Sequence, residues 1–319
     1  MRVLSIDGGG VRGLLPATVV AEIEARSGKP AHELFDLMVG TSIGGITVMG
    51  LTAPDREDPR RPRYSAMELV DFYAEDAPRI FSASVPRQLH TAGSLLHEKY
   101  PDEVLEEVLE EVFGDTPLAA ALAPAMVTAY DTERRRPLMF KSEKAKREPE
   151  WNLPMRIVGR AAIAAPTFFE PLRLEAATGE RWTCVDGAVY ANNPAMCAYV
   201  EALKIFPCSD LFMVSIGTGM PTRPLPYDEV RAWGLVHWAR PLLDVTVDGT
   251  NHAVNHQLEH LLQPHAYYRL QAYIGHKHMP LDDVAPTNLQ TVREAAGKLI
   301  AERDSDFDAI CERLLAGAA

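Results

Sequence analysis

Apolar residues "VLSI" at positions 3–6 run directly into "DGGG", and apolar positions then recur at helical spacing from Val11 to about Arg26. A short apolar run, a glycine turn and a 3.6-residue period predict strand, glycine loop and helix. The order then repeats, with "FDLMV" as a second strand, residues 40–45 as a turn and "ITVMGL" as a helix of small residues. Residues 52–63, "TAPDREDPRRPR", read as loop, and helices are predicted over 65–77 and 101–113. In the latter, Val104, Leu105, Val108, Leu109 and Val112 form one apolar face, and the glutamates opposite read as a solvated one. Strands are expected at 125–132, 136–142 and 211–219, and helices at "RIVGRAAIAAP" and after "WTCVDGAVYANNP". Strands alternating with helices predict an α/β fold on a largely parallel sheet. Residues 1–220 carry this pattern; residues 221–319 read as a mostly helical extension packed on the same domain, with no linker between.

Composition narrows the classes. A chain of 319 residues with 47% hydrophobic residues can bury a sizeable core. Four cysteines, Cys184, Cys197, Cys208 and Cys311, show no paired spacing, which suggests neither a disulfide framework nor a cysteine zinc site. No run approaches the ~18–20 apolar residues that span a bilayer, and the first residues lack a signal peptide's apolar region. The expectation is a cytoplasmic protein whose contact with lipid is peripheral. A net charge of -12 argues against general attraction to nucleic acid or to an anionic membrane.

Candidate chemistry begins at Ser42. Gly40, Ser42 and Gly44 match G-x-S-x-G, a strand-to-helix turn from which a serine projects. The helix starting at Ile43 would aim its positive end at that serine. Before it, "DGGGVRGL" allows two functional readings. Gly8, Gly10 and Gly13 fit a dinucleotide fingerprint, which also needs an acid at the end of the second strand; here that strand ends in Val39-Gly40. The other reading is an oxyanion hole, in which consecutive glycines expose N–H groups to a carbonyl oxygen turning anionic. Two adjacent parallel strands would bring this loop and the serine turn together at their C-terminal ends.

A serine hydroxyl needs a base. Ten histidines make a three-residue arrangement conceivable, but an α/β-hydrolase serine follows several strands and this one follows a single strand and helix. Asp186, at the end of "WTCV" and before Gly187, is the alternative; a desolvated carboxylate can take the proton. Alone, an Asp-Gly pair is a turn signal.

Taken together and in order, "DGGGVRGL", "GTSIGG", "AAPTFFEP", "VDGAVYANNP" and "SIGTG" resemble the patatin-like phospholipase family over residues 2–220. The resemblance implies a three-layer α/β/α sandwich and hydrolysis of lipid acyl esters by a Ser-Asp dyad. Ser42 would be the nucleophile and Asp186 the base. Gly8, Gly9, Gly10 and Arg12 would form the oxyanion hole, with Gly13, Gly40, Gly44, Gly187 and Ala188 supporting the motifs. The substrate would be a phospholipid or another acyl lipid. No cofactor and no metal are implied.

Other features admit functional readings of their own. "HQLEH", residues 256–260, with His252 extending the stripe, matches an inverzincin order but lacks a third ligand and a domain of its own. The basic run from Arg134 to Arg147 reads as a solvated hairpin, with a phosphate-binding patch as the alternative. Phe168 and Phe169 are expected in the core near the site, with a role in an acyl pocket as the alternative, and residues 80–100 are a candidate lid. Two rival functions are a short-chain esterase with a histidine triad and a non-catalytic storage or interaction protein.

Overall fold

The structure is a computed structural model that describes residues 1–81, 100–175, 179–207, 210–220, 224–238, 241–275 and 280–316. Eight strands form one mixed sheet: β1 (Arg2–Ile6), β2 (Leu37–Thr41), β3 (Ala125–Asp131), β4 (Arg136–Lys141), β5 (Leu172–Glu175), β6 (Arg181–Asp186), β7 (Phe212–Ile216) and β8 (Tyr267–Leu270). Their spatial order is β5-β6-β3-β2-β1-β7-β8, with β4 also paired to β3. The run from β3 through β2, β1 and β7 to β8 is parallel, as the alternation of strands and helices predicts. Beyond β3 the direction reverses, because β4 follows β3 through a short hairpin and β5 and β6 also form antiparallel pairs.

The principal helices are α1 (Leu14–Ser27), α2 (Ile43–Thr52), α3 (Ala66–Glu75), α4 (Asp102–Phe113), α5 (Met155–Ala162), α6 (Ala188–Ala191), α7 (Ala195–Ile205), α8 (Pro241–Leu261), α9 (Pro286–Glu302) and α10 (Asp304–Ala316). Side chains alternate across a strand, and the two faces of the sheet feed separate cores. Leu4, Ile6, Met38, Val214 and Ile216 pack with α1, α2, α4, α5, α9 and α10. Val3, Leu37, Val39, Met126 and Met213 pack with Ala195, Ala198 and Ala202 of α7 and Leu258 of α8. This is the three-layer α/β/α arrangement.

α2 is buried along its whole length, which explains its small residues. Its second turn is pinned to α3, where the Thr47 and Tyr73 hydroxyls lie 2.7 Å apart. α3 begins with a capping box in which Ser65 and Glu68 satisfy each other's N–H groups. The acidic face of α4 is exposed and its apolar residues Leu105, Val108 and Leu109 are buried, as its pattern requires.

Candidate active site

β1 and β2 are adjacent and parallel, with Ile6 opposite Gly40, so the chain leaves both strands at the same end of the sheet. After β2 it turns at Ser42 with φ 54° and ψ -127°. A non-glycine residue held there costs about 1–3 kcal/mol, and such strain gathers at functional sites. The flanking glycines make the turn possible. A Cβ on Gly40 would overlap the Gly44 backbone, and one on Gly44 would stand 2.5 Å from the Ile6 carbonyl oxygen. Ser42 is the residue before α2, yet its hydroxyl makes no capping bond to that helix. It is 7% exposed.

β6 supplies the carboxylate. Asp186 ends that strand opposite Ala129 of β3, while Thr128 of β3 is opposite Thr41 of β2. Asp186 and Ser42 therefore flank β3 near one level, two strand spacings or about 9.5 Å apart at the backbone, and their side chains meet across that gap. Asp186 is 2% exposed. Burial pushes its carboxyl up to about 6, against the opposing pull of the Ser42 hydroxyl and of the Ala188 N–H. Ala188 donates to Asp186 Oδ1 at 2.8 Å. Beneath the pair, the Thr41 and Thr128 hydroxyls are 2.7 Å apart, and Thr41 donates to the Ala191 carbonyl at 2.6 Å. Thr128 also fills the space that a side chain on Gly187 would need. β2, β3 and α6 are thereby tied together under the two candidate residues.

The glycine loop lies against the serine. A Cβ on Gly8 would be 3.3 Å from the Ser42 Cβ and 2.7 Å from Asn192 Oδ1. Gly8 corrects one expectation: it gives its N–H to the Asn192 carbonyl at 3.0 Å, so it shapes the loop and is not a free oxyanion donor. Gly9 and Gly10 give their N–H groups to no acceptor among the described residues. Gly10 has φ 56°, and a side chain on it would overlap the Leu281 carbonyl. Gly13 packs between Tyr73 and Ile43. Ile43 is a further candidate donor, since it is the first residue of α2 and its N–H has no partner within that helix. Its position directly after the serine was the available signal.

Arg12 is buried at its Nε, which has no hydrogen-bond partner among the described residues. Burial lowers its pKa to about 10, against the raising influence of Asp244 and Asp248 on α8, so it is charged at neutral pH. The charges that act on it, Asp244 and Asp248, both lie on α8. Asn192 and Thr218 lie within the sequence motifs but carry no signal that singles them out. Asn192 accepts from Gly8, and the Thr218 hydroxyl donates to the Gly8 carbonyl at 2.8 Å.

The remaining candidates sit apart from this chemistry. His252, His256, Glu259 and His260 are exposed on α8, and among the described residues no group of His, Cys, Asp or Glu is arranged to hold a metal. The basic run forms the β3–β4 hairpin and its continuation. Arg134 pairs with Asp131 at 2.9 Å, Lys141 with Glu201 at 2.5 Å and Lys146 with Glu143 at 2.6 Å, while Lys144 lies over Trp151 at 3.3 Å. Phe169 is buried and Phe168 half-buried, both against Tyr100. Of the candidate lid, residues 82–99 lie outside the described residues. Cys184, Cys197 and Cys311 are free thiols. No helix among the described residues is long and apolar enough to cross a membrane.

Known proteins share this pattern. A family model described as patatin-like phospholipase matches residues 4–199. Patatin-like protein 2 of Arabidopsis thaliana is 31% identical over 80% of this chain and 70% of its own length. Patatin-T5 of Solanum tuberosum is 28% identical over 93% of this chain and 83% of its own. Among solved structures, VipD from Legionella pneumophila is similar at a TM-score of 0.39 and 12% identity, over 94% of this chain and 66% of that one, a likeness too distant to bear on function.

Proposed function

This chain belongs to the patatin-like phospholipase family, and on that premise we propose that it is a serine hydrolase of lipid acyl esters working through Ser42 and Asp186. The observation that carries the reading is a buried carboxylate, its pKa pushed up to about 6, beside the hydroxyl of a serine on a strained turn. A carboxylate of ordinary acidity is a poor base for a hydroxyl; burial brings this one nearer the working pH while leaving it mostly ionised at pH 7.

In the proposed reaction Asp186 accepts the Ser42 proton as Oγ attacks the ester carbonyl. The oxyanion that forms is met by the N–H groups of Gly9 and Gly10, with Ile43 and the positive end of α2 on its other side. The tetrahedral adduct collapses, the proton passes from Asp186 to the departing alcohol or lyso-lipid, and the acyl group remains on Ser42. Water, deprotonated by Asp186, then attacks the acyl-enzyme, and as the bond to Oγ breaks the proton passes from Asp186 to Ser42 and the fatty acid is released. Each donor is worth about 2.7–4 kcal/mol in comparable hydrolases, which makes the loop as consequential as the side chains. The substrate would be a phospholipid or other acyl lipid, reached by peripheral contact of a cytoplasmic enzyme with its surface.

Hydrolysis of defined phospholipids and of acyl esters of graded chain length, by wild type, Ser42→Ala and Asp186→Asn, tests the reading. Long-chain esters should be cleaved by wild type and by neither variant. Full activity in either variant would remove the dyad, and preference for acetyl esters would indicate a general esterase.

A further inference from the structure

The family match ends at residue 199, yet three groups that hold the glycine loop come from beyond it. Thr218 follows β7 and donates to the Gly8 carbonyl at 2.8 Å. The Leu281 carbonyl accepts from Val11 at 2.8 Å and stands against Gly10. The third is Arg269 of β8. Ser5, Ser215 and Arg269 are aligned across β1, β7 and β8, and the arginine reaches back over β7 to Asp7, the residue that begins the loop. Its two terminal nitrogens meet the two carboxylate oxygens at 2.9 and 2.5 Å, and Nη1 also donates to the Ser215 hydroxyl at 2.8 Å.

This pair is expensive for a merely stabilising contact. Asp7 is 1% exposed, and taking two charges out of water costs roughly what their attraction returns, so that an apolar pair of similar volume would often be as stable. What an apolar pair could not supply is orientation. A two-pronged guanidinium–carboxylate contact fixes the plane of the carboxylate. The Asp7 N–H is meanwhile held by the Ile216 carbonyl at 3.0 Å. Main chain and side chain of Asp7 are thus both clamped, and the next three residues are Gly8, Gly9 and Gly10, which have no side chains with which to hold themselves.

We propose that Arg269 is a positioning residue for the oxyanion loop, acting through Asp7 to hold the Gly9 and Gly10 N–H groups in register with Ser42. The proposal rests on the reading of Ser42 as the nucleophile. It assigns part of the catalytic geometry to a strand beyond the residues that the family model matches. Arg269 touches no reacting atom; its effect on turnover is carried by the loop.

The test compares wild type with Arg269→Gln and Arg269→Lys, measuring kcat and KM per folded molecule well below the melting temperature, and hydrogen exchange of the peptide covering residues 7–13. A donor displaced by about an ångström costs on the order of a hundredfold. Arg269→Gln should accordingly lower kcat about tenfold to a hundredfold, leave KM within about twofold, and speed exchange over residues 7–13 but not over 39–45. Arg269→Lys keeps the charge and loses the fork, and should fall between; it is the variant read if Arg269→Gln does not fold. A lower melting temperature with kcat within about twofold of wild type and unchanged exchange at 7–13 would make the pair structural only and overturn the proposal. Exchange is read whether or not hydrolysis occurs. An inactive wild type would therefore count against the function, and unchanged exchange against the brace.

Discussion

Asp186 carries the expected pH dependence. Because burial raises its pKa to about 6, kcat/KM on a neutral ester should climb with pH through about 6 and level off above about 7, as the ionised fraction saturates. The same group sets a stability trade. A rise from 3.8 to about 6 corresponds to about 3 kcal/mol against the ionised form. The folded state then holds the proton more tightly than the unfolded chain, so this residue's contribution falls as pH rises from about 4 to about 6, and the penalty is fully present above that. Asp186→Asn should therefore melt higher than wild type at pH 7 while turning over on the order of a thousandfold more slowly or worse. Thermal denaturation and initial rates on one preparation check both. Ser42 and Asp186 stood out only through the five motifs taken in order, because a serine between glycines and an Asp-Gly pair are each, alone, ordinary turn signals. The role of Gly8 was not legible, since its acceptor is a main-chain carbonyl 184 residues away in sequence, at Asn192. Hydrogen bonds between loops leave no pattern in a sequence.

Among the elements, α2 follows most directly from its residues. Gly44 sits at the crossing of this helix over the end of β1, where a methyl group would stand 2.5 Å from the Ile6 carbonyl oxygen. Gly44→Ala should destabilise by about 1–3 kcal/mol and displace Ser42, so that urea denaturation and turnover fall together. Tyr73→Phe removes a hydroxyl that meets Thr47 and donates to the Ile43 carbonyl at 3.2 Å. It should cost about 1 kcal/mol with a smaller loss of turnover, because Thr47 keeps its own bond to the Ile43 carbonyl at 3.1 Å. The strands were harder to read. "YYRL" of β8 is four residues long and only its Leu270 is fully buried, which is too little pattern to announce a strand. Nor did the spacing of apolar residues distinguish the parallel half of the sheet from the antiparallel β4, β5 and β6. Strand direction is decided by the connections, and only the short β3–β4 hairpin showed its own.

At the scale of the molecule, the sheet binds the region matched by the family model to the last 120 residues or so of the chain. β7 lies beside β1, next to last in the sheet order, and β8 forms the edge beyond it, although both come after residue 199. α9 and α10 contribute Val292, Ala296, Phe307 and Ile310 to the same core as α1. A fragment of residues 1–199 would expose one edge of β1 and the apolar surface that these helices cover. It should fail to melt cooperatively by circular dichroism and should aggregate on concentration. The α/β class and the order of its early units were legible because buried strands and helices are written in apolar periodicity. The place of the last hundred residues was not, because it depends on which edge of the sheet is left open. The central claim is that all of this architecture serves one nucleophile. Reaction with an alkyl fluorophosphonate ester followed by peptide mass spectrometry tests it most directly. The account predicts a single adduct on the peptide containing Ser42, formed more slowly in Asp186→Asn and absent in Ser42→Ala. An adduct on another residue, with the Ser42 peptide unmodified, would contradict it.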